Sequence, residues 1–258
     1  MTTTPPDPQR MTSGTAKVPQ VTLAFWIIKI AATTLGETGG DAVTMSMNLG
    51  YLVGTGIFAV IFIAAVILQI KAERFHPVLY WATIIASTTV GTTLADFTTR
   101  SLGVGYDGGS SLLLLLLLLS LFTWHRTLGS ISVDTVTTPR AELFYWMTIM
   151  FSQTLGTALG DWTADTAGLG YVGAGLIFAA LLALVATLYL WTRLSRTLLF
   201  WGAFVLTRPL GAVVGDFLDK PVSAGGLAFS RYLASAVLLL FIAACLVIFP
   251  QRAAQEAH

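Results

Sequence analysis

Apolar positions in this chain come in long unbroken runs rather than in the every-second-residue alternation of half-buried strands. Tyr51 to Ile70 and Tyr171 to Trp191 extend for 20 and 21 residues without an acidic or basic side chain, and about 20 apolar residues cross the hydrocarbon core of a bilayer. Comparable runs elsewhere predict eight helices, near 21–42, 51–70, 78–97, 109–127, 142–162, 171–191, 198–217 and 229–249. Short polar stretches separate them. The run Leu112 to Leu119 has no polar or small residue, which suits a lipid-facing helix.

Every second predicted helix carries the same signature. Trp26, Trp81, Trp146 and Trp201 are each followed ten residues later by Gly36, Gly91, Gly156 and Gly211, and five residues after each Gly stands Asp41, Asp96, Asp161 or Asp216. A small residue precedes each Asp: Gly40, Ala95, Gly160 and Gly215. The copies lie 55, 65 and 55 residues apart, so a constant shift of 120 relates the two halves and implies nested duplication. The expectation is an all-α integral membrane protein with eight transmembrane helices, built as four parallel two-helix repeats in a quasi-fourfold arrangement. Along the chain this reads as a disordered tail at 1–20, a first half at 21–127, a linker at 128–141, a second half at 142–249 and a tail at 250–258.

Composition agrees with a lipid environment: 55% of the 258 residues are hydrophobic and 10% are charged, against about 25% charged in soluble domains. A net charge of +1 leaves no basic surplus for nucleic acid. The single Cys245 excludes a disulfide framework. His76, His125 and His258 fall near segment ends or in the tail, which argues against an imidazole metal centre or a His-based triad, and no cofactor is expected. Arg10, Lys17, Lys71, Arg74, Arg126, Arg140, Arg193, Arg196 and Arg252 share one side of an eight-span topology, against Arg100, Lys220 and Arg231 on the other. The positive-inside rule then puts both termini in the cytoplasm of a bacterial inner membrane.

The motif suggests chemistry. Fifteen residues from Trp to Asp span about 22 Å of helix, placing Trp in an interfacial aromatic belt and Asp toward the outer leaflet. Gly36, Gly40, Gly91, Gly156, Gly160, Gly211 and Gly215 allow close helix packing, so the four motif helices are expected to form an inner ring. That ring would bring Asp41, Asp96, Asp161 and Asp216 toward one axis, with Glu37 a turn deeper, as oxygen ligands for a metal ion or other hard cation. Lys29 and Arg208 are expected to compensate part of this acidic charge, and Asp165 and Asp219 to be solvated loop charges.

The segments Leu35 to Asp41 (LGETGGD), Leu155 to Trp162 (LGTALGDW) and Gly211 to Phe217 (GAVVGDF) resemble the bacterial family of multi-spanning membrane proteins named only for its repeat of unknown function. Gly91 to Phe97 (GTTLADF) departs through Ala95. The resemblance covers nearly all of residues 22 to 249 and implies a membrane location, but no mechanism. From the residues, the expected function is a small secondary transporter or channel for an inorganic cation: a proton, an alkali ion, or a hard divalent ion such as Mg²⁺ or Mn²⁺. Its partners are the bilayer and the ion, and it is not an enzyme. The alternatives are a non-transporting packing or assembly protein and, remotely, an intramembrane aspartyl hydrolase, which needs two carboxylates sharing a proton.

Overall fold

The computed structural model describes residues 16–254. Among these, eight long helices follow one another: α1 (Leu23–Asp41), α2 (Gly50–Lys71), α3 (Pro77–Asp96), α4 (Gly105–Leu128), α5 (Pro139–Asp161), α6 (Gly170–Trp191), α7 (Arg196–Asp219) and α8 (Arg231–Ile248). Local chemistry starts the motif helices. Thr22, Thr138 and Ser195 accept hydrogen bonds from the first-turn amides of Phe25, Ala141 and Leu198, while Pro77 and Pro139 open α3 and α5.

In the first three repeats the chain continues past Asp through a π-helical turn, at Ala42–Ser46, Phe97–Ser101 and Trp162–Thr166. There Thr44, Thr99 and Thr163 donate back to the carbonyls of Gly40, Ala95 and Leu159, satisfying oxygens at the junction where the helix widens. The fourth repeat has no threonine there, and α7 stays α-helical to Asp219.

Four helices form the inner ring: α1 packs on α3, α3 on α5, α5 on α7, and α7 closes on α1. Each outer helix leaves its own repeat and packs on the motif helix of the next, α2 on α3, α4 on α5, α6 on α7 and α8 on α1. A repeat is therefore not a self-packed hairpin. Its second helix is the strap that joins it to its neighbour.

Six helices are long and apolar enough to cross a membrane; α1 and α5 are the two that are not. The difference from the eight expected spans has a physical cause. Inner helices are wrapped by protein and can carry polar residues, whereas α2 and α6 are apolar over nearly their whole surface and bury little of it. Such exposed apolar area is untypical of a water-soluble monomer.

At the ring's Trp end the expectation of an interfacial belt needs correction. Trp81, Trp146 and Trp201 are buried in protein, and only Trp26 is partly exposed. The residue before each Trp is also aromatic, and it packs on the Trp of the next repeat. Phe25 meets Trp81 with ring centroids 5.4 Å apart, Tyr80 meets Trp146 at 5.7 Å, Tyr145 meets Trp201 at 6.2 Å, and Phe200 meets Trp26 at 5.8 Å. The Tyr80 and Tyr145 hydroxyls hydrogen-bond at 2.6 Å. This closed chain of aromatic contacts seals one end of the ring.

Part of the expected N-terminal tail is also ordered onto that end; residues 1–15 and 255–258 lie outside the described residues. Lys17 pairs with Glu142 at 2.7 Å and donates to the Ile70 carbonyl at 3.0 Å, while its own amide donates to Val136 in the linker. Pro19 and Ala253 form a β-bridge. The segment Ala16–Gln20 is thus a strap across the aromatic end, joining α2, α5, the linker and the C-terminal segment.

The motif glycines mark where inner helices touch. A Cβ on Gly91 would lie 2.9 Å from Gln153 Cβ and 3.0 Å from its backbone carbon, and one on Gly211 would lie 2.9 Å from the Thr33 backbone carbon. Gly36 faces Thr88 and Gly156 faces Arg208 in the same way. Substituting Gly211→Ala is expected to lower unfolding stability by about 1–3 kcal/mol through overpacking. Gly202→Ala, with nothing within 4 Å of the new methyl, should be neutral or stabilising by up to about 1 kcal/mol. Thermal unfolding of the purified protein in detergent checks both.

Candidate functional site

Four positions per motif helix, spaced by four residues, follow the aromatic residue and give the ring five inward-facing layers. The first is Phe25, Tyr80, Tyr145 and Phe200; the second Lys29, Ile84, Ile149 and Phe204; the third Thr33, Thr88, Gln153 and Arg208. The fourth is Glu37, Thr92, Thr157 and Ala212, and the fifth Asp41, Asp96, Asp161 and Asp216. All twenty residues are buried. An i, i+4 stripe keeps one face of each helix toward the interior, and its chemistry runs from aromatic through neutral polar to acidic.

Arg208 Nη2 lies on the ring axis. It donates to Glu37 Oε2 of α1 at 2.9 Å, Thr92 Oγ1 of α3 at 2.5 Å and Thr157 Oγ1 of α5 at 2.5 Å. One guanidinium nitrogen from α7 therefore reaches all three other inner helices. Thr92 also donates to Glu37 Oε2, at 3.3 Å.

The four motif aspartates meet at one end in two cation-bridged pairs. Arg100 contacts Asp96 at 3.0 Å and Asp161 at 3.2 Å. Lys220 contacts Asp216 at 3.0 Å, hydrogen-bonds to Asp41, and lies 3.9 Å from Asp219. Arg231 completes the second group, 3.0 Å from Asp219 and 3.8 Å from Asp41. Burial alone would lower the Lys220 pKa, but Asp216, Asp41 and Asp219 outweigh it and hold the group above its ordinary value. It remains an ammonium throughout the neutral range.

One oxygen from each of Glu37, Asp41 and Asp216 lies within 4.8 Å of the others, and all three residues are buried. Three hard oxygen donors at this spacing can surround a cation, and the Lys220 ammonium already touches two of them. This cluster lies at the seam between α1 and α7, where the last repeat closes on the first.

Several expectations change. Arg208 does pair with an acid, Glu37. Lys29 does not neutralise the acidic cluster: it is fully buried, its Nζ is 3.4 Å from Thr207 Oγ1 and 4.0 Å from the Phe204 ring centroid, and among the described residues no carboxylate is within 4 Å. Asp219 is buried and ion-paired rather than solvated, while Asp165 is exposed. Arg100, Lys220 and Arg231, which entered the sequence reading only through the orientation they imply, are the cations that hold the aspartates. Arg100 and Lys220 stand four residues after Asp96 and Asp216 and are themselves 120 apart, so helical spacing and the nested repeat together carried the signal.

The arrangement defines a class of closed helical rings made from four tandem helix pairs, with an aromatic end and a cation-bridged acidic end. The chain belongs to the family of the Repeat of Unknown Function (DUF347), which matches it four times, at residues 24–75, 79–130, 144–195 and 199–250. No curated protein and no solved structure matches it.

The Arg208–Glu37 pair yields a double-mutant test. Glu37→Gln leaves a buried guanidinium without its counter-charge and is expected to destabilise by about 3–5 kcal/mol. Glu37→Gln combined with Arg208→Met should recover most of that loss, a coupling readable in denaturant or thermal unfolding in detergent.

Proposed function

We propose that the protein is an integral protein of a bacterial inner membrane, with both termini cytoplasmic and all eight helices spanning, that carries an inorganic cation through the Glu37–Asp41–Asp216 site. Six helices suit a membrane by length and composition, and α1 and α5 are enclosed by the others, which explains their lower hydropathy. The Lys and Arg distribution supports the orientation. The observation that carries the transport reading is the convergence of three buried carboxylates at the α1–α7 seam.

Charge narrows the cargo. Glu37, Asp41, Asp216 and Asp219 face Arg208, Lys220 and Arg231, which leaves one negative charge in excess. That excess matches a proton or an alkali ion. Outward movement of Lys220, whose side chain is 11% exposed, would expose a second negative charge and suit Mg²⁺ or Mn²⁺. Oxygen-only ligands favour these over softer metals. Lys220 then acts as a tethered cation that the cargo displaces.

A non-transporting assembly protein is the second reading, favoured by the sealed aromatic end and by the cation bridging each aspartate. A hydrolase is not proposed: Arg100 and Lys220 bridge the aspartate pairs, whereas an aspartyl dyad shares a proton directly.

Proteoliposomes loaded with ion-sensitive dyes separate the first two readings. Flux of H⁺, Na⁺, K⁺, Mg²⁺ or Mn²⁺ is expected from the wild type, with a drop of at least about tenfold in Asp216→Asn, since a buried ligand charge is removed. Asp165→Asn should retain full flux. Absence of flux for all five ions, in protein that remains folded, decides for the assembly reading.

A further inference from the structure

The scaffold does not require a charge at position 208. Arg208 lies over Gly156 as Thr33, Thr88 and Gln153 lie over Gly211, Gly36 and Gly91 at the other three seams, so a neutral side chain fills the same seat. What the arginine adds is a long arm with a permanent charge. A guanidinium keeps its proton in proteins, and this one is fully buried.

Its reach closes the ring. Nη2 meets Glu37, Thr92 and Thr157, three of the four members of one layer, and the fourth member, Ala212, is on Arg208's own helix. The charge divides the twenty inward-facing residues. Every carboxylate among them, Glu37 and the four motif aspartates, lies at that layer or beyond it toward the acidic end, whereas the three layers toward the aromatic end hold no acid. A cation drawn to the aspartates therefore meets a charge of its own sign on the axis, in an interior that screens it little.

Glu37 connects the two sides. Its Oε2 accepts from Arg208 and Thr92, and one of its oxygens lies within 4.8 Å of oxygens of Asp41 and Asp216, so a cation held by these three acids competes with Arg208 for one carboxylate. The grip to be loosened is narrow. Nε and Nη1 of Arg208 have no hydrogen-bond partner among the described residues, which leaves Nη2 as the nitrogen that holds the head. Pro209, the next residue, has no amide hydrogen to give to the preceding turn, so the hydrogen-bond ladder of α7 is interrupted beside the arm that has to swing.

We propose that Arg208 is the barrier of the cation path, closing the ring at the level of Glu37 until a cation bound among Glu37, Asp41 and Asp216 takes that carboxylate from it. Arg208 is thus a positioning residue rather than a ligand. The proposal deepens the cation reading and rests on it for the sign of the cargo.

The test compares Na⁺ and K⁺ flux, read with ion-sensitive dyes, for the full-length wild type and its variants in vesicles of phosphatidylethanolamine and phosphatidylglycerol. Arg208→Gln, which stays polar and loses the charge, should pass both ions at least about tenfold faster than the wild type, because a buried charge on the path is removed. Arg208→Lys should reverse most of that rise by restoring the charge, although an ammonium cannot reproduce the planar fork. Should Arg208→Gln not fold, Glu37→Gln with Arg208→Met removes both buried charges together and carries the same expectation. A rate no higher than wild type in folded Arg208→Gln overturns the barrier, and so does an equal rise in Arg208→Lys, which would trace the closure to packing. A silent wild type with a conducting Arg208→Gln supports the barrier and counts against transport by the native protein; wild-type flux with an unchanged variant does the reverse.

Discussion

A single guanidinium nitrogen that touches three other helices can do so only at the centre of a ring, and the position of Arg208 organises this protein. Its stem passes over Gly156, where the neighbouring helix has no side chain, and its head meets Glu37, Thr92 and Thr157 at one level. An interior that water does not reach offers no partner to a charge or to a free backbone group. A ring with a polar axis therefore has to satisfy that axis from within, and much of the sequence pattern follows from this requirement. Threonines line the inner helices because a threonine can return its hydroxyl to the preceding turn, as Thr34, Thr83, Thr89 and Thr92 do. Outer helices, relieved of that task, are left to aliphatic residues.

The same requirement explains how far the sequence could be read. The Trp–Gly–Asp spacing identifies the inner helices and the face each turns inward, since residues four apart lie on one side of a helix. Which side chains meet across that face depends on ring order, and spacing within one repeat is silent about order. Hence the pairing of Arg100 with Asp161 and of Lys220 with Asp41 was not visible, although their i+4 relation to Asp96 and Asp216 was. The Trp residues were read by their distance from the helix end, which suits an interfacial belt. The aromatic residue preceding each of them, at 25, 80, 145 and 200, instead makes a buried intersubunit-like chain between repeats. Lys29 was grouped with the acids by sign alone, yet it lies three layers away from the aspartates and touches Phe204.

Symmetry and its violations divide the work. Glycine contacts, aromatic contacts and the motif aspartates recur four times and build the scaffold. Arg100 and Lys220 recur twice, at the 120-residue shift, and close the acidic end as two similar pairs. Lys29, Glu37 and Arg208 occur once each, all at the α1–α7 seam. A duplicated scaffold supplies equivalent positions without specifying chemistry, and substitutions confined to one seam give the ring a direction and a distinct side.

Under the proposed transport function, the two ends of the ring differ in how they would have to move. At the acidic end the groups are ion pairs partly open to solvent, with Arg100 and Arg231 the more exposed members. Water reaches these cations but not the aspartates they hold, so exchanging partners here is easier for Arg100 and Arg231 than for the buried acids. The opposite end offers no such exchange: its rings are interlocked from repeat to repeat and covered by the Ala16–Gln20 strap, whose Lys17 pairs with the nearly inaccessible Glu142. Opening there means separating aromatic contacts around the whole circuit, or parting one seam while the rest of the circuit holds. The α1–α7 seam is the natural one to part, since Phe200 and Trp26 meet across it and Trp26 is the partly exposed member of its set.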